Sequence, residues 1–192
     1  SNIISRLKTI GINIKENDSK IKKLLNEVKD REFIGYSYDG ADASFELLAR
    51  RIMGEIPRYI SINEYDVSVK KNSVGKIISS AKAHLEVDGE KIVCVGEGNG
   101  PVNALDNAIR QNVDKLPKYS KYLKDLKLVD YKVRILNTGT EALTRVSIES
   151  TDSKGKNWFT IGVSTNIIEA SFKALIDSLD YKLFNDKAPA SK

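Results

Sequence analysis

The sequence predicts an α+β fold, N-terminal short helices followed by a duplicated βββα unit with pseudo-two-fold symmetry. Three observations predict it. The hydrophobic period is helical through the first third and changes to two from Tyr59 onward. A strand–strand–strand–helix pattern then occurs twice. The two copies align at one offset: Tyr65 to Tyr131, Gly89 to Gly155 and Gly96 to Gly162 are each 66 residues apart. Val67 meets Val133, Val102 meets Ile168 and Ala104 meets Ala170 at the same offset, while the middle strands need a small insertion to match.

The elements follow in order. Ile3, Ile4, Leu7 and Ile10 recur at helical spacing until Gly11. Asp18 or Ser19 can cap a second helix carrying the stripe Ile21, Leu24, Leu25 and Val28. A third, capped by Asp42 or Ser44, places Phe45, Leu48 and Ile52 on one face and ends at Gly54 and Pro57. Three short helices bury little alone and need a partner surface. Then "YISINEYDVSVKK" alternates, and "KIISSAKAHLEV" and "EKIVCVGEG" flank the hairpin turn Asp88-Gly89. Pro101 suits a first helical turn, where its missing N–H costs nothing. After Pro117 the unit restarts with "LKLVDYKVRIL", "TRVSIES", "NWFTIGV" and a helix from about Asn166 to Leu183. The expected organisation is a helical segment 1–58, a duplicated region 59–185 with repeats of about 59–117 and 125–183, and a flexible tail 186–192. The opening "SNIISRLKTIG" reads as mid-protein sequence, so a fragment of something longer is expected.

Composition narrows the function classes. Of 192 residues, 41% are hydrophobic, enough for a core, and no stretch approaches a membrane span. The single cysteine, Cys94, rules out an internal disulfide framework and points to a cytoplasmic home. The formal charge of +5 raises a basic nucleic-acid-binding α+β module as an alternative. The lysines are interleaved with acids, however, which reads as solvated helix faces and argues for no nucleic acid. His84 is the only histidine and no cluster has metal-ligand spacing, so no catalytic or metal residues are assigned.

The two strand–glycine–helix junctions carry the chemistry. Glycines let another group approach the main chain, and a helix start offers unpaired N–H groups that favour an anion. Gly96, Gly98 and Gly100 form one junction; Gly162, Ser164 and Asn166 form the other, with Ser164 or Asn166 as a cap. The alternative is that these glycines only permit tight strand–helix packing. "GEGNG" lacks the glycine spacing of a dinucleotide fingerprint. With Pro101, Val102, Ile167 and Ile168 alongside, a carboxylate site next to an apolar surface suits a branched amino acid.

The wording "GYSYDGADASFELLARR" (35–51), "VDYKVRILNTGTEALTRVSIES" (129–150) and "WFTIGVSTNIIEASFKALIDSLDYKL" (158–183) resembles the C-terminal part of citramalate synthases, which belong with the 2-isopropylmalate synthases. "FELLARR" leans toward the former. The resemblance implies a regulatory, dimerising region of an acyltransferase that condenses acetyl-CoA with a 2-oxo acid, pyruvate in citramalate synthases. It implies a catalytic TIM barrel with a divalent metal and acetyl-CoA outside this chain, no cofactor within it, and a fragment inactive alone. It implies a homodimer that binds the end product at its interface, isoleucine or alternatively leucine. Carried over by position, the effector residues are Gly96, Gly98, Gly100, Pro101, Val102, Gly162, Ser164, Asn166, Ile167 and Ala170.

Overall fold

In the computed structural model, which describes residues 2–13, 18–138 and 141–192, the change of period at Tyr59 is the boundary between two kinds of structure. Three helices come first: α1 (Asn2–Thr9), α2 (Ser19–Phe33) and α3 (Asp42–Ile52). Then β1 (Ser61–Lys71), β2 (Ile77–Val87) and β3 (Glu90–Gly98) lead into α4 (Pro101–Arg110). A 3-10 turn at Val113–Lys115 and the short α5 (Ser120–Leu123) connect to β4 (Lys127–Thr138), β5 (Glu141–Thr151), β6 (Asn157–Ser164) and α6 (Ile167–Asn185).

The duplication is visible in the hydrogen-bond register. Each unit is an antiparallel meander, ordered β1-β2-β3 and β4-β5-β6. The first pair in each carries a bulge at the equivalent place, between Ile62 and Glu64 and between Leu128 and Asp130. The insertion expected in the middle strands is a one-residue shift: Ala81 lies between Val67 and Gly96 as Val146 lies between Val133 and Gly162. The hairpins explain it. Asp88 and Gly89 make a two-residue turn with φ of 53° and 79° in the first unit. A longer turn headed by Asp152 joins β5 to β6, its Oδ1 accepting from the Lys154 and Lys156 amides. Asn72 heads the same turn between β1 and β2, accepting from Val74 and Lys76. The long turn has changed places between units, and the middle strand moves by one residue to suit.

Helix α4 lies along β2 and β3, α6 along β5 and β6, and the two helices meet. Buried Ala81, Ala104, Ala108, Val146, Ala170 and Ala174 share one core cluster, so small side chains bring the layers close. Edge strand β3 is finished by side chains rather than by a fourth strand: Asn107, Asn112 and Lys115 donate to the carbonyls of Glu97, Val95 and Val93. Cys94 is fully buried as a small apolar group, and burial pushes its thiol up.

The partner surface the N-terminal helices require is the outer face of the second sheet. Leu7, Leu24, Val28, Phe45 and Leu48 pack with Ile161 and Val163 of β6. Asp18 caps α2 through the Lys20 amide. Asp42 and Ser44 do not cap α3, which begins after Ala41 without a side-chain cap. Ser44 instead faces inward, accepting from the Ile161 amide and donating to Asp177, because the β6 edge behind α3 has an amide to satisfy. Arg51 then bridges Asp177 (2.8 Å) and Asp180 (2.9 Å) on α6.

At the other end Lys182, 2% exposed, gathers Asp152 (2.9 Å), Asp125 (3.3 Å) and Asp186 (2.6 Å). The tail, expected to be flexible, is held against the body. Ser191 donates its amide to Arg58 O, its hydroxyl accepts from the Asp88 amide, and Pro189 O accepts from Tyr119. Ala188 is buried in the same cluster as Tyr119 and Leu183.

Two predictions follow from these polar joints. Lys182→Met should lower stability by about 3–5 kcal/mol in denaturant titrations, since it leaves carboxylates desolvated without their cation. Asp180 is pushed up to about 6, chiefly by burial and further by Asp177, against the pull of Arg51. A carboxyl whose folded value exceeds its unfolded one favours the folded state at the acid end, and that contribution is lost as pH rises through about 6. Melting curves between pH 4 and 7 should therefore carry a component falling with pH that Asp180→Asn removes.

Candidate functional site

The two junctions share one backbone plan. Gly98 pairs with Ser79 and Ser79 with Val69; one repeat on, Ser164 pairs with Thr144 and Thr144 with Ile135. Each rung leads from a helix start to an apolar side chain on an edge strand, and these are exposed: Val69 61%, Ile135 70%. Tyr131 and Val133 extend the strip on β4, and Ile77 extends it beside Val69. The two edges differ in cover. Tyr65 on β1 is stacked by Phe172 of α6, centroids 4.1 Å apart. The residue of α4 equivalent to Phe172 is Asp106, which is turned to Arg110 (2.7 Å), and Tyr131 stays uncovered.

The glycines divide into two roles. A Cβ at Gly96 would collide with the backbone of Ala108, one at Gly98 with Asn103 and the Ala104 amide, and one at Gly162 with the Ala170 carbonyl. These three close the helix onto the strand, the packing role the sequence left open. At Gly100 a side chain would meet open space. Val102 and Ala170 are buried in the cluster between α4 and α6, so each binds its own junction to the shared core. Pro101 is half-buried, and Ile167 is 40% exposed beside its junction.

The helix starts also differ. Asn166 caps α6, its Oδ1 accepting from the Ile168 (2.8 Å) and Glu169 (3.2 Å) amides. Ser164 accepts from the Asn166 amide and donates to Glu169, whose carboxyl it and Lys173 hold below the ordinary range. That anion site is filled from within. Helix α4 begins at Gly100, in extended geometry (φ −156°), with no side-chain cap and with Pro101 at its first position. The Asn103 side chain turns outward to accept from the Asn99 amide, a contact sequence reasoning missed, although asparagines at 103 and 107 on a helix start are its signal. A further cleft, of 630 Å³, opens between α2, α3 and α6 over Arg31, Tyr36, Tyr38 and Asp177. It was invisible in the sequence because its walls come from segments far apart in the chain.

This frame has known relatives. Residues 39–183 match the family model described as the LeuA allosteric (dimerisation) domain. The chain belongs to the LeuA allosteric (dimerisation) domain family. The match begins at Asp39, so the family unit takes in α3 together with both βββα repeats. The chain is 43% identical over 190 residues to an (R)-citramalate synthase of Aquifex aeolicus, covering 97% of this chain and 35% of that protein. It is 41% identical over 186 residues to an (R)-citramalate synthase of Geobacter sulfurreducens, covering 95% of this chain and 34% of the relative. A 2-isopropylmalate synthase of Carboxydothermus hydrogenoformans is 27% identical over 170 residues, 88% of this chain and 31% of its own length. The chain thus spans about a third of the relatives it matches. Among the described residues no helix is long and apolar enough to cross a membrane, and no group of three or more His, Cys, Asp or Glu could hold a metal.

The division of the glycines is testable. Gly162→Ala and Gly96→Ala should each cost about 1–3 kcal/mol through overpacking against helix backbone. Gly100→Ala meets no such clash and should cost about 1 kcal/mol or less, through the poorer N-cap alone.

Proposed function

We propose that this chain is the end-product-sensing and dimerising region of an (R)-citramalate synthase, with isoleucine as its feedback effector. The observation that carries the reading is the α4 start: its first-turn amides have no side-chain cap, while those of α6 are taken by Asn166. An α-carboxylate would accept from the amides at the start of α4, where the unpaired donors and helix dipole favour an anion. The aliphatic side chain would lie on the neighbouring apolar surface, with Pro101, Val69 and Ile77 on this chain and a second copy opposite. Of the ten residues carried over from the resemblance, Gly100, Pro101 and Ile167 are then contact candidates, and Gly96, Gly98, Gly162, Val102 and Ala170 hold the frame. Ser164 and Asn166 close the second junction.

The homodimer would form over the exposed strip Val69, Ile77, Tyr131, Val133 and Ile135. Signal would pass from α4 to α6 through their alanine contact, and from Asp177 and Asp180 of α6 to Arg51 of α3. A linkage of about 1–3 kcal/mol would alter substrate affinity roughly 5- to 150-fold. Catalysis, with its divalent metal and acetyl-CoA, would belong to a barrel outside this chain, in a cytoplasmic enzyme. The identities favour a citramalate synthase over the second reading, a leucine-sensing 2-isopropylmalate synthase.

Isoleucine should raise the melting midpoint of the chain more than leucine or valine at equal concentration, since a ligand of the folded form stabilises by mass action. Gly100→Asp supplies a carboxylate from within, at a position with extended geometry and room for a side chain. It should stabilise the chain by a few tenths of a kcal/mol and abolish the isoleucine shift. A retained shift in that variant would place the effector elsewhere.

A further inference from the structure

The outer face of the second sheet holds a conflict that its described residues do not resolve. Arg134 on β4 and Arg145 on β5 are directly opposed across the antiparallel ladder, an arrangement in which like charges destabilise the pair. Arg145 donates from Nη2 to the Ser37 carbonyl (2.7 Å), which pins it under the loop joining α2 to α3. Its Nε is buried and has no acceptor among the described residues. Burial, and then the field of Arg134, pull the Arg145 guanidinium below its ordinary value; Asp39 opposes this through space, without a hydrogen bond. Among the described side chains of these strands, the acids on the same face, Asp130 and Glu149, oppose each other two rungs away beyond Lys132 and Ser147. Four residues of strand separate Asp130 from Arg134, roughly 13 Å at 3.3–3.4 Å per residue.

A water molecule would satisfy the Nε donor but not the charge. An oxyanion against the exposed Arg134 and the accessible part of the Arg145 guanidinium would answer the charge, since guanidinium forks match the paired oxygens of a carboxylate or phosphate. We propose that the Arg134–Arg145 rung is an oxyanion site, taking the phosphate or carboxylate group of a small soluble molecule at the seam between residues 35–40 and the second sheet. The site is independent of the helix junctions and of isoleucine. Gly35 sits against Leu136, Leu143 and Val163, so the loop that holds Arg145 is itself seated on the sheet. An anion there would tie α2 and α3 to β4 and β5.

The test is the melting midpoint of the 192-residue chain, titrated with inorganic phosphate or with citrate at ionic strength held constant with sodium chloride. A saturable rise is expected with at least one of them, and the anion that saturates at the lower concentration identifies the source. Arg134→Gln, at an exposed position, should remove the rise and should melt above the parent in chloride alone, because the repulsion is gone. Arg145→Gln should also remove the rise. A non-saturating rise shared equally by parent and Arg134→Gln would overturn the site, as would an Arg134→Gln that melts lower in chloride. Asp39→Asn should sharpen the phosphate response by removing a competing carboxylate. If it instead lowers the chloride midpoint as far as Arg145→Gln does, Asp39 is the partner of Arg145 and the proposal fails.

Discussion

The fold depends on how closely two helices approach the strands that precede them. At Gly96, Gly98 and Gly162 the helix backbone occupies the space a side chain would need. That contact fixes α4 over β2 and β3, and α6 over β5 and β6. It brings Ala104 and Ala108 to the same cluster as Ala170 and Ala174, where two units that cannot each close a core cover one another. It also fixes where each helix starts, and therefore where unpaired amides can face a ligand.

From that shared frame the two halves diverge through single side chains. Gly100 leaves one helix start open, and Asn166 at the equivalent position fills the other. Phe172 covers Tyr65, whereas Asp106 leaves Tyr131 in the open. A doubled backbone thus provides two candidate sites and two candidate contact edges, and substitutions at the cap and on the helix flank select between them. The family's allosteric and dimerising role fits a frame that is symmetric in backbone and unequal in side-chain chemistry.

The N-terminal helices and the tail are attached by polar joints as much as by apolar contact. Arg51, itself exposed, spans two half-buried carboxylates of α6, and Ser44 fills the gap between α3 and the edge of β6. Asp88 receives Lys118 and the Lys192 amide, so the β2–β3 turn also anchors the C-terminal residues. Partly exposed ionic joints of this kind contribute little net stability. They hold one arrangement of the helices against the sheet.

Sequence alone determined the elements and the duplication, because periodicity, turn residues and a constant offset are local or additive properties, and it carried the family separately, through the likeness of residues 35–51, 129–150 and 158–183 to citramalate synthases. The hairpin at Asp88-Gly89, the Asp18 cap, the helix start at Pro101 and the burial of Cys94 were all legible for that reason. Tertiary structure decided which glycines pack and which leave space, since Gly98 and Gly100 look alike in the chain and differ only in what stands opposite. It also decided that Ser44 bonds to a strand amide rather than capping its helix, that the tail is held by Asp88 and Arg58, and that two arginines from different strands face each other. Those outcomes depend on distances between residues remote in sequence, and no local pattern encodes such a distance.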